Sequence, residues 1–382
     1  MKILFYIGVV GMILFEIANV YFIMPMPGSQ RMISIDLAYF LYSSRWIYRM
    51  LFAVLIMLGI ANAFKQTRWL ALLALVLVAG VGYAFNFRMA ADHMFYQPGR
   101  LVFSTARDNK VVKLDREIVG VSLNGQAKAY PIQYVGYHHQ IRDTVGGQVV
   151  IVTYCTVCRT ARVFRPVVNN QPELFRLVGM DHFNAMFEDA TTGSWWRQAN
   201  GEAVAGPLRG DTLPEVFSQQ MTMKQWLALH PNSLIMQPDT AYNASYAKLD
   251  KYERGKGGSD LTKTDSLSWR EKSWVIGLEL NKQTKAYDWN RLKRERVISD
   301  TLGGKPVMLV LASDDRSFFA YERPLVSDRF ILRHDTLTAG KQLFSLSGHP
   351  ISNSAMATLT RIPAYQEFWH SWQTFHPKTA RY

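Results

Sequence analysis

Two cysteines, Cys155 and Cys158, are the residues whose types and spacing most directly suggest chemistry in this chain. They are the only cysteines among its 382 residues, and they lie within the apolar run 149–164. Two thiols at this spacing in a tight turn can direct both sulfur atoms at one ion. The residues after Cys158 alternate as in a strand and show no helical stripe. The pattern therefore favours a strand–turn–strand metal knuckle over a thioredoxin-type motif, in which the cysteines begin a helix.

A transition-metal site needs further ligands, because a tetrahedral structural site has four and the chain has no second cysteine pair. Histidine supplies them in this interpretation. His138 precedes a Gly-Gly turn, and antiparallel strands can bring it beside the cysteines; His182 is the candidate fourth ligand, with His139 as another candidate. Thiolate and imidazole ligands suit copper, zinc and iron. We therefore predict that Cys155, Cys158, His138 and His182 bind one of these ions.

Two other interpretations of the cysteine pair stay open. The first is a thiol–disulfide oxidoreductase, since a domain outside the cytoplasm can form and exchange disulfides. The second is a small staple in a non-enzymatic envelope scaffold whose repeats bind other envelope proteins. Haem attachment through Cys-x-x-Cys-His is excluded because Arg159 follows the second cysteine. No phosphate-cradling or dinucleotide motif is present, so we expect no nucleotide cofactor.

The first 89 residues have the composition of a membrane segment. Three apolar runs, about 3–25, 47–64 and 69–87, approach the ~20 residues that cross a bilayer. The first run lacks a clear signal-peptide cleavage site, so we predict three transmembrane helices within 1–89. We place the N-terminus in the cytoplasm and the large C-terminal part outside the inner membrane of a bacterium, although the positive charges flanking the runs are nearly balanced.

The rest of the chain contains an internal repeat. Residues 118–130 align without a gap with 275–287, and 141–147 align with 298–304 at the same offset of 157. Further on, Trp-x-x-x-His-Pro recurs at an offset of 146, between 226–231 and 372–377. The alignment indicates a tandem duplication. It predicts a first globular repeat over 90–239, a linker or exposed loop over 240–272, and a second repeat over 273–382.

Each repeat consists mainly of short alternating stretches with one probable helix near its end, over 221–229 and 365–375. This pattern predicts a β-rich α+β fold.

The repeat also provides an internal comparison. Cys155 corresponds to Ala312, Cys158 to Asp315, and His138 to Glu295. Because the residues capable of chemistry occur in one copy only, we expect the site in the first repeat and a degenerate, structural second repeat.

The charge distribution of the chain says little about which molecules the protein binds. The net charge is +13, with basic stretches in 248–272 and 282–296. No nucleic-acid-binding motif accompanies them, so we interpret them as a solvated face beside the membrane and expect no nucleic acid partner.

Several ordered motifs resemble a known family. The bacterial domain-of-unknown-function family 3179 is similar over roughly 110–240, through Ala129-Tyr-Pro131, His138 with Asp143, Gly146-Gly147, residues 152–161, Thr192-Gly-Ser194 and residues 201–208. The family signature is Tyr-Cys-Pro-x-Cys-Gly-Thr-Ala, which resembles a rubredoxin-type knuckle. This chain has Thr156 in place of the proline and Arg159 in place of the glycine. The resemblance implies domain boundaries but does not imply any particular activity.

Overall fold

A computed structural model describes residues 1–351 and 357–382. Its contacts divide the chain into two compact units. The first unit comprises Met1–Tyr96 and Gln171–Thr212, and the second comprises Gln97–Asn170 and Leu213–Tyr382. Helices and many short strands occur together, so the predicted α+β class is confirmed. The division does not follow the sequence repeats, because residues 171–212 belong with the N-terminal helices.

The first unit begins with apolar helices. Two of them, Lys2–Tyr21 and Arg45–Arg88, are long and apolar enough to cross a membrane. The α-helices of this unit are Lys2–Tyr21, Ile35–Ser43, Arg45–Tyr83, which continues as a π-helical turn Ala84–Arg88, and Ala91–Met94.

The long helical element reverses direction at Thr67. The backbone of Thr67 has φ −145° and ψ 52°, which is not helical. Arg49 donates a hydrogen bond to Asn86 Oδ1 at 2.6 Å. A straight helix would separate these two residues by about 55 Å. The predicted runs 47–64 and 69–87 are therefore two antiparallel arms of one element.

Small residues allow the first helix to pack closely against this element. A Cβ atom at Gly59 would lie 2.4 Å from the backbone nitrogen of Phe5, and one at Gly8 would lie 2.8 Å from Ile56. Close approach through small residues is typical of helix pairs in an apolar environment. Glu16 is buried in the same bundle and pairs with Arg49 at 2.7 Å. The embedded carboxylate is therefore neutralised by a neighbouring helix.

The first unit also contains a four-stranded antiparallel sheet in simple sequential order. Tyr39, on a short helix, packs edge-on against Trp195 of this sheet, with ring centroids 5.1 Å apart. The strands are Phe175–Asp181, Asn184–Asp189, Trp195–Arg197 and Ala203–Ala205.

In the second unit, the first sequence repeat forms a five-stranded and a three-stranded sheet. The five-stranded sheet has the order Phe103–Ser104, Leu234–Met236, Gln126–Pro131, Glu117–Leu123 and Ser218–Thr222; the three-stranded sheet consists of Gln140–Val145, Gln148–Cys155 and Thr160–Phe164. All pairings are antiparallel except that of Leu234–Met236 with Gln126–Pro131. The helices of this repeat are Ile132–His138 and Met223–Leu229.

The second repeat rebuilds the same series of elements. Helix Ile132–His138 corresponds to Trp289–Glu295, and helix Met223–Leu229 corresponds to Trp369–Phe375. One four-stranded sheet has the order Tyr365–Phe368, Trp274–Leu280, Gln283–Asp288 and Ala380–Arg381. A second four-stranded sheet has the order Val297–Leu302, Lys305–Leu311, Phe318–Glu322 and Arg361–Ile362. The second repeat also contains a three-stranded sheet of Ile331–Arg333, Thr336–Ala339 and Gln342–Ser345.

The two repeats do not form separate bodies. One cluster of buried side chains contains Val119 and Val152 from the first repeat together with Val310 and Tyr321 from the second. Both copies therefore share a core within the second unit.

Residues 240–272, expected to be a linker or exposed loop, also contribute to this core. Tyr246, Tyr252 and Glu253 are buried, the first in helix Asn243–Lys248 and the others in the short helical turn Tyr252–Arg254. The expectation rested on the polar, Gly- and Ser-rich composition of the segment. It overlooked the few aromatic residues that fix the segment to the fold.

Candidate functional site

The two cysteines lie in a tight turn between antiparallel strands, residues 155–159, which we call the cysteine turn. Cys155 ends one strand, and it pairs with Thr160 at the start of the next. Arg159 closes the turn with a left-handed backbone, at φ 58°. This is the predicted strand–turn–strand setting, and no helix begins at the cysteines.

Both cysteines are in the reduced form, without a disulfide between them, and both are fully buried. They hydrogen-bond to each other, and burial, followed by this bond and the nearby Cys155, raises the pKa of the Cys158 thiol well above its usual value. Ser371 and Lys272 act in the opposite direction and favour the thiolate. At neutral pH the pair is therefore a protected dithiol with donors already placed for a negative charge.

The second repeat covers the cysteine turn with residues 366–371, which we call the cover segment. The backbone nitrogen of Phe368 donates to the Cys158 carbonyl oxygen at 2.8 Å. The Ser371 hydroxyl group contacts the Cys158 thiol and donates to Glu367 Oε2 at 2.9 Å. Glu367 is itself buried and pairs with Arg162 at 2.9 Å. Residues far apart in sequence thus form one continuous polar cluster around the dithiol.

Lys272 and His370 complete the surroundings of the turn. Lys272 Nζ donates to the Val157 carbonyl oxygen at 2.7 Å and lies 3.1 Å from His370 Nε2. Burial lowers the pKa of His370 to about 3, so its ring is neutral at pH 7; its Nε2 lies within hydrogen-bond distance of both Lys272 Nζ and the Val157 carbonyl oxygen. Burial also lowers the pKa of Lys272, while ionised cysteines would raise it. Lys272 and the thiols are therefore electrostatically linked.

Arg159 anchors the end of the cysteine turn. Its side chain is fully buried, donates to Gln366 Oε1 at 2.9 Å and pairs with Glu117 at 3.1 Å. Its guanidinium group stacks 3.7 Å from the ring centroid of Trp274. Glu253 lies beside Glu117, and burial followed by the Glu117 charge raises the pKa of Glu253 to about 7. The turn is thus held against a buried, charged framework.

A matching contact exists at the other copy. The second repeat has its own turn, residues 312–316, which we call the alanine turn. Ser317 Oγ, immediately after it, accepts a hydrogen bond from Thr222 N at 3.0 Å. Thr222 is the counterpart of Phe368, so equivalent backbone nitrogen atoms approach the two turns, but Ser317 is the counterpart of Thr160 and not of Cys158. Gln220 and its counterpart Gln366 meet between them, with Nε2 and Oε1 3.0 Å apart.

The predicted metal ligands are only partly brought together. Cys155 and Cys158 are adjacent. His138 Nε2 instead lies 2.7 Å from the Tyr246 hydroxyl group, and His182, in the first unit, pairs with Asp181 at 2.6 Å. Within 1–351 and 357–382, no three His, Cys, Asp or Glu side chains lie close enough to hold one ion. The predicted set of four ligands is therefore not assembled.

The local structure around each histidine explains why it does not reach the cysteines. His138 ends the short helix Ile132–His138, which the sequence interpretation did not predict, and this helix directs the ring toward Tyr246 in the segment expected to be a linker. His139, the other candidate, donates from Nδ1 to the Tyr154 carbonyl oxygen at 3.0 Å. Both histidines therefore have roles in holding the backbone and core.

Sequence reasoning missed the cover segment and Lys272. A signal was present, because the 146-residue offset makes Glu367, His370 and Ser371 the counterparts of Met221, Lys224 and Gln225. The comparison that singled out the cysteines would have shown that these positions also differ between copies. The residues of the cysteine turn and of the cover segment therefore each occur in only one of the two repeats.

Comparison with known proteins identifies a family whose description names no activity. A family model described as "Protein of unknown function (DUF3179)" matches residues 100–379. No curated protein matches the chain. No solved structure matches it either. The matched residues make up most of the chain and include both repeats, so the protein belongs to the DUF3179 family.

Proposed function

We propose that this chain is a membrane-anchored protein that binds one monovalent copper ion through the sulfur atoms of Cys155 and Cys158. The observation that carries the proposal is the buried pair of thiols, hydrogen-bonded to each other and accompanied by one lysine ammonium group. Soft thiolate ligands suit copper(I), as they suit zinc and iron–sulfur clusters. Copper(I) also accepts two ligands, which is the number of thiols present.

Charge balance supports a monovalent ion. Two thiolates and one copper(I) carry a net charge of −1, and Lys272 offers one compensating positive charge beside the turn. The Ser371 hydroxyl group favours the Cys158 thiolate. A buried charge that is paired and hydrogen-bonded avoids most of the desolvation cost. Zinc and iron fit less well, because their usual protein sites use four ligands, or three and a water molecule.

Copper titration of the purified full chain tests this proposal. Under reducing, oxygen-free conditions, we expect the wild-type chain to retain one copper(I) ion against a competing chelator. Cys155→Ser and Cys158→Ser should each abolish retention. His138→Asn and His182→Asn should retain the ion, because neither ring contacts the thiols in this interpretation. A wild-type chain that loses all copper to a weak chelator would contradict the proposal.

A thiol–disulfide couple is the second candidate, and the direct contact between the two thiols favours it. Oxidation would remove two protons and two electrons from the pair and form one S–S bond, with a disulfide such as oxidised glutathione as the electron acceptor. Burial counts against rapid exchange, because reactive cysteines are partly exposed and have a lowered pKa. Mass analysis after equilibration in glutathione buffers distinguishes this candidate. An intramolecular disulfide that forms reversibly would favour it over copper binding.

A chain that neither retains copper nor forms this disulfide would favour the scaffold interpretation, in which the repeats bind other envelope proteins.

We also propose that residues 1–89 cross the membrane three times, with the remainder outside the cytoplasm of a bacterial cell. The reversal at Thr67 supports three crossings, since each arm of the long element has about the length of a bilayer. Large apolar side chains such as Ile47, Leu58 and Trp69 are exposed along both arms, as lipid-facing residues would be. A C-terminal alkaline phosphatase fusion should be active, because this enzyme folds only outside the cytoplasm. An inactive but intact fusion would reverse the orientation.

A further inference from the structure

A polar cavity of about 390 Å³ lies in the first unit, where the apolar helices meet the four-stranded sheet. Asn19, near the end of the first helix, and Asn86, at the end of the long helical element, line one side. Arg45, Arg176 and Glu188 line the other. The cavity is therefore bounded by helix ends on one side and by charged side chains on the other.

One lining side chain has an unused hydrogen-bonding atom. Asn19 is only 6% exposed, and its Oδ1 has no hydrogen-bond partner among residues 1–351 and 357–382. Burying an unpaired amide oxygen costs about 1–3 kcal/mol, and native proteins rarely leave one without a reason. A ligand with an O–H or N–H group would supply the missing donor.

The cavity lining contains two arginines and two carboxylates, and both carboxylates pair with the same arginine. Arg176 is neutralised by Glu188 at 2.7 Å and by Asp92 at 3.0 Å. Arg45 donates to the Tyr42 carbonyl oxygen at 2.6 Å and stacks 3.9 Å from the Tyr42 ring centroid. In the described part of the chain, Arg45 makes no salt bridge. Its guanidinium group is thus available for a phosphate, which it can bind through two parallel hydrogen bonds.

The position of the cavity indicates where such a ligand would come from. It lies where two apolar stretches end, which is the level of lipid head groups if these stretches cross the membrane. Basic side chains at this level commonly meet anionic lipids. This location at the head-group level rests on the proposed membrane insertion and is independent of the copper site.

We propose that this cavity binds a glycerol phosphodiester, the head group of phosphatidylglycerol. Arg45 binds the phosphate, and the glycerol hydroxyl group donates to Asn19 Oδ1. The single negative charge of the ligand pairs with Arg45, because both lining carboxylates already pair with Arg176. Phosphatidylcholine lacks the hydroxyl donor and carries a second, positive charge, so the cavity should discriminate against it.

Native mass spectrometry of the delipidated full chain in detergent tests this inference. We expect one phosphatidylglycerol to bind more tightly than phosphatidylethanolamine and phosphatidylcholine. Arg45→Gln should weaken binding about tenfold or more, since a charge-assisted pair is lost. Asn19→Leu should reduce the preference over phosphatidylcholine. Free glycerol 3-phosphate is included to separate a soluble phosphate ligand from a lipid, and we expect it to bind more weakly than the lipid.

The matched control is Arg68→Gln. Like Arg45, Arg68 lies over an aromatic ring, that of Trp69, but it is next to the reversal at Thr67 and does not line the cavity. It should leave phosphatidylglycerol binding unchanged. Equal weakening by both variants, equal binding of all three lipids, or tighter binding of free glycerol 3-phosphate would each overturn the inference.

Membrane insertion is assessed separately, from recovery of the chain in the membrane fraction. A chain that stays there without selecting a lipid contradicts this inference alone. A chain recovered without detergent in the soluble fraction contradicts the proposed anchoring instead.

Discussion

The cysteine turn and the alanine turn occupy equivalent places in two copies of one structural series, yet their surroundings differ in kind. Around the cysteine turn, Cys155, Cys158 and Arg159 are fully buried and meet a histidine, a serine and a lysine. Around the alanine turn, Asp314 and Asp315 are near solvent, and Asp315 pairs with Arg296. The framework therefore tolerates either arrangement. Burial of polar side chains at the cysteine turn, rather than the shape of the turn, is what distinguishes the candidate site.

The strongest test of this contrast is the matched pair Arg159→Ala and Arg316→Ala. The first change should lower the free energy of unfolding by about 3–5 kcal/mol, because Glu117 is left as a buried, unpaired carboxylate. The second removes a partly exposed guanidinium group that donates to the Asp115 carbonyl oxygen at 2.7 Å, and should cost about 0.5 kcal/mol. Denaturant titration of the full chain in detergent, followed by tryptophan fluorescence, measures both. Similar losses would mean that the two turns are equally supported.

A second pair of substitutions tests a contact between a strand and a helix that both repeats contain. Gly120→Ala would place a Cβ atom 2.4 Å from the Trp226 ring, and Gly277→Ala would place one 2.0 Å from Trp372. Each substitution overpacks the contact between a strand and a helix, and each should cost about 1–3 kcal/mol in the same unfolding experiment.

Gly82→Ala is the control for this pair, because in residues 1–351 and 357–382 no atom beyond its chain neighbours and its own helical backbone lies within 4 Å of a Cβ placed there. It should leave stability nearly unchanged. If one glycine of the pair tolerated alanine and the other did not, the two copies would not be structurally equivalent at this contact.

Transplanting the thiols tests whether the turn alone defines the site. In a Cys155→Ser and Cys158→Ser background, the changes Ala312→Cys and Asp315→Cys place both thiols in the alanine turn. We expect copper(I) affinity at least about tenfold below that of the wild type, since Asp115 stands where Lys272 stands in the other copy. Chelator competition measures the difference. Wild-type affinity in the transplanted chain would show that the cover segment and Lys272 do not matter.

The last comparison concerns pH and Glu253, which lies in the buried framework of the cysteine turn. Burial raises its pKa from 4.5 to about 7. Between these pH values the folded state holds a proton that the unfolded state has lost, so the stabilisation is complete below about pH 4.5 and falls as pH rises toward 7. Glu253→Gln should flatten this decline in unfolding free energy, whereas the exposed Glu271→Gln should not. An unchanged slope in Glu253→Gln would remove Glu253 as its source.

The sequence predicted the framework of the site better than its contents. Alternation on both sides of Cys155 and Cys158 was sufficient to predict strand–turn–strand geometry, because strand periodicity is a local property. Asn124-Gly125 is a local hairpin signal of the same kind, and it lies between the strands Glu117–Leu123 and Gln126–Pro131, which pair antiparallel. These features need no knowledge of distant residues.

The contacts that determine the chemistry are long-range, and this is why they were missed. Ser371 and Lys272 reach the cysteines only because each repeat reaches across to the turn of the other. His138 was assigned to the metal by its proximity in sequence, but the unpredicted helix before it orients the ring toward Tyr246. A seven-residue helix with few signals of its own is set by tertiary packing, which a single sequence does not reveal.

The contact between Gln220 and Gln366 has a consequence for how this site could change over time. Were the two copies separate subunits of a symmetric dimer, every substitution would appear twice, and a thiol pair gained or lost at one turn would be gained or lost at both. Joined in one chain, the copies can change independently. One turn can then keep buried polar groups, which are costly to bury, while the other turn has fewer of them and the shared core is preserved. A single polypeptide thus has an asymmetry that otherwise requires two different genes.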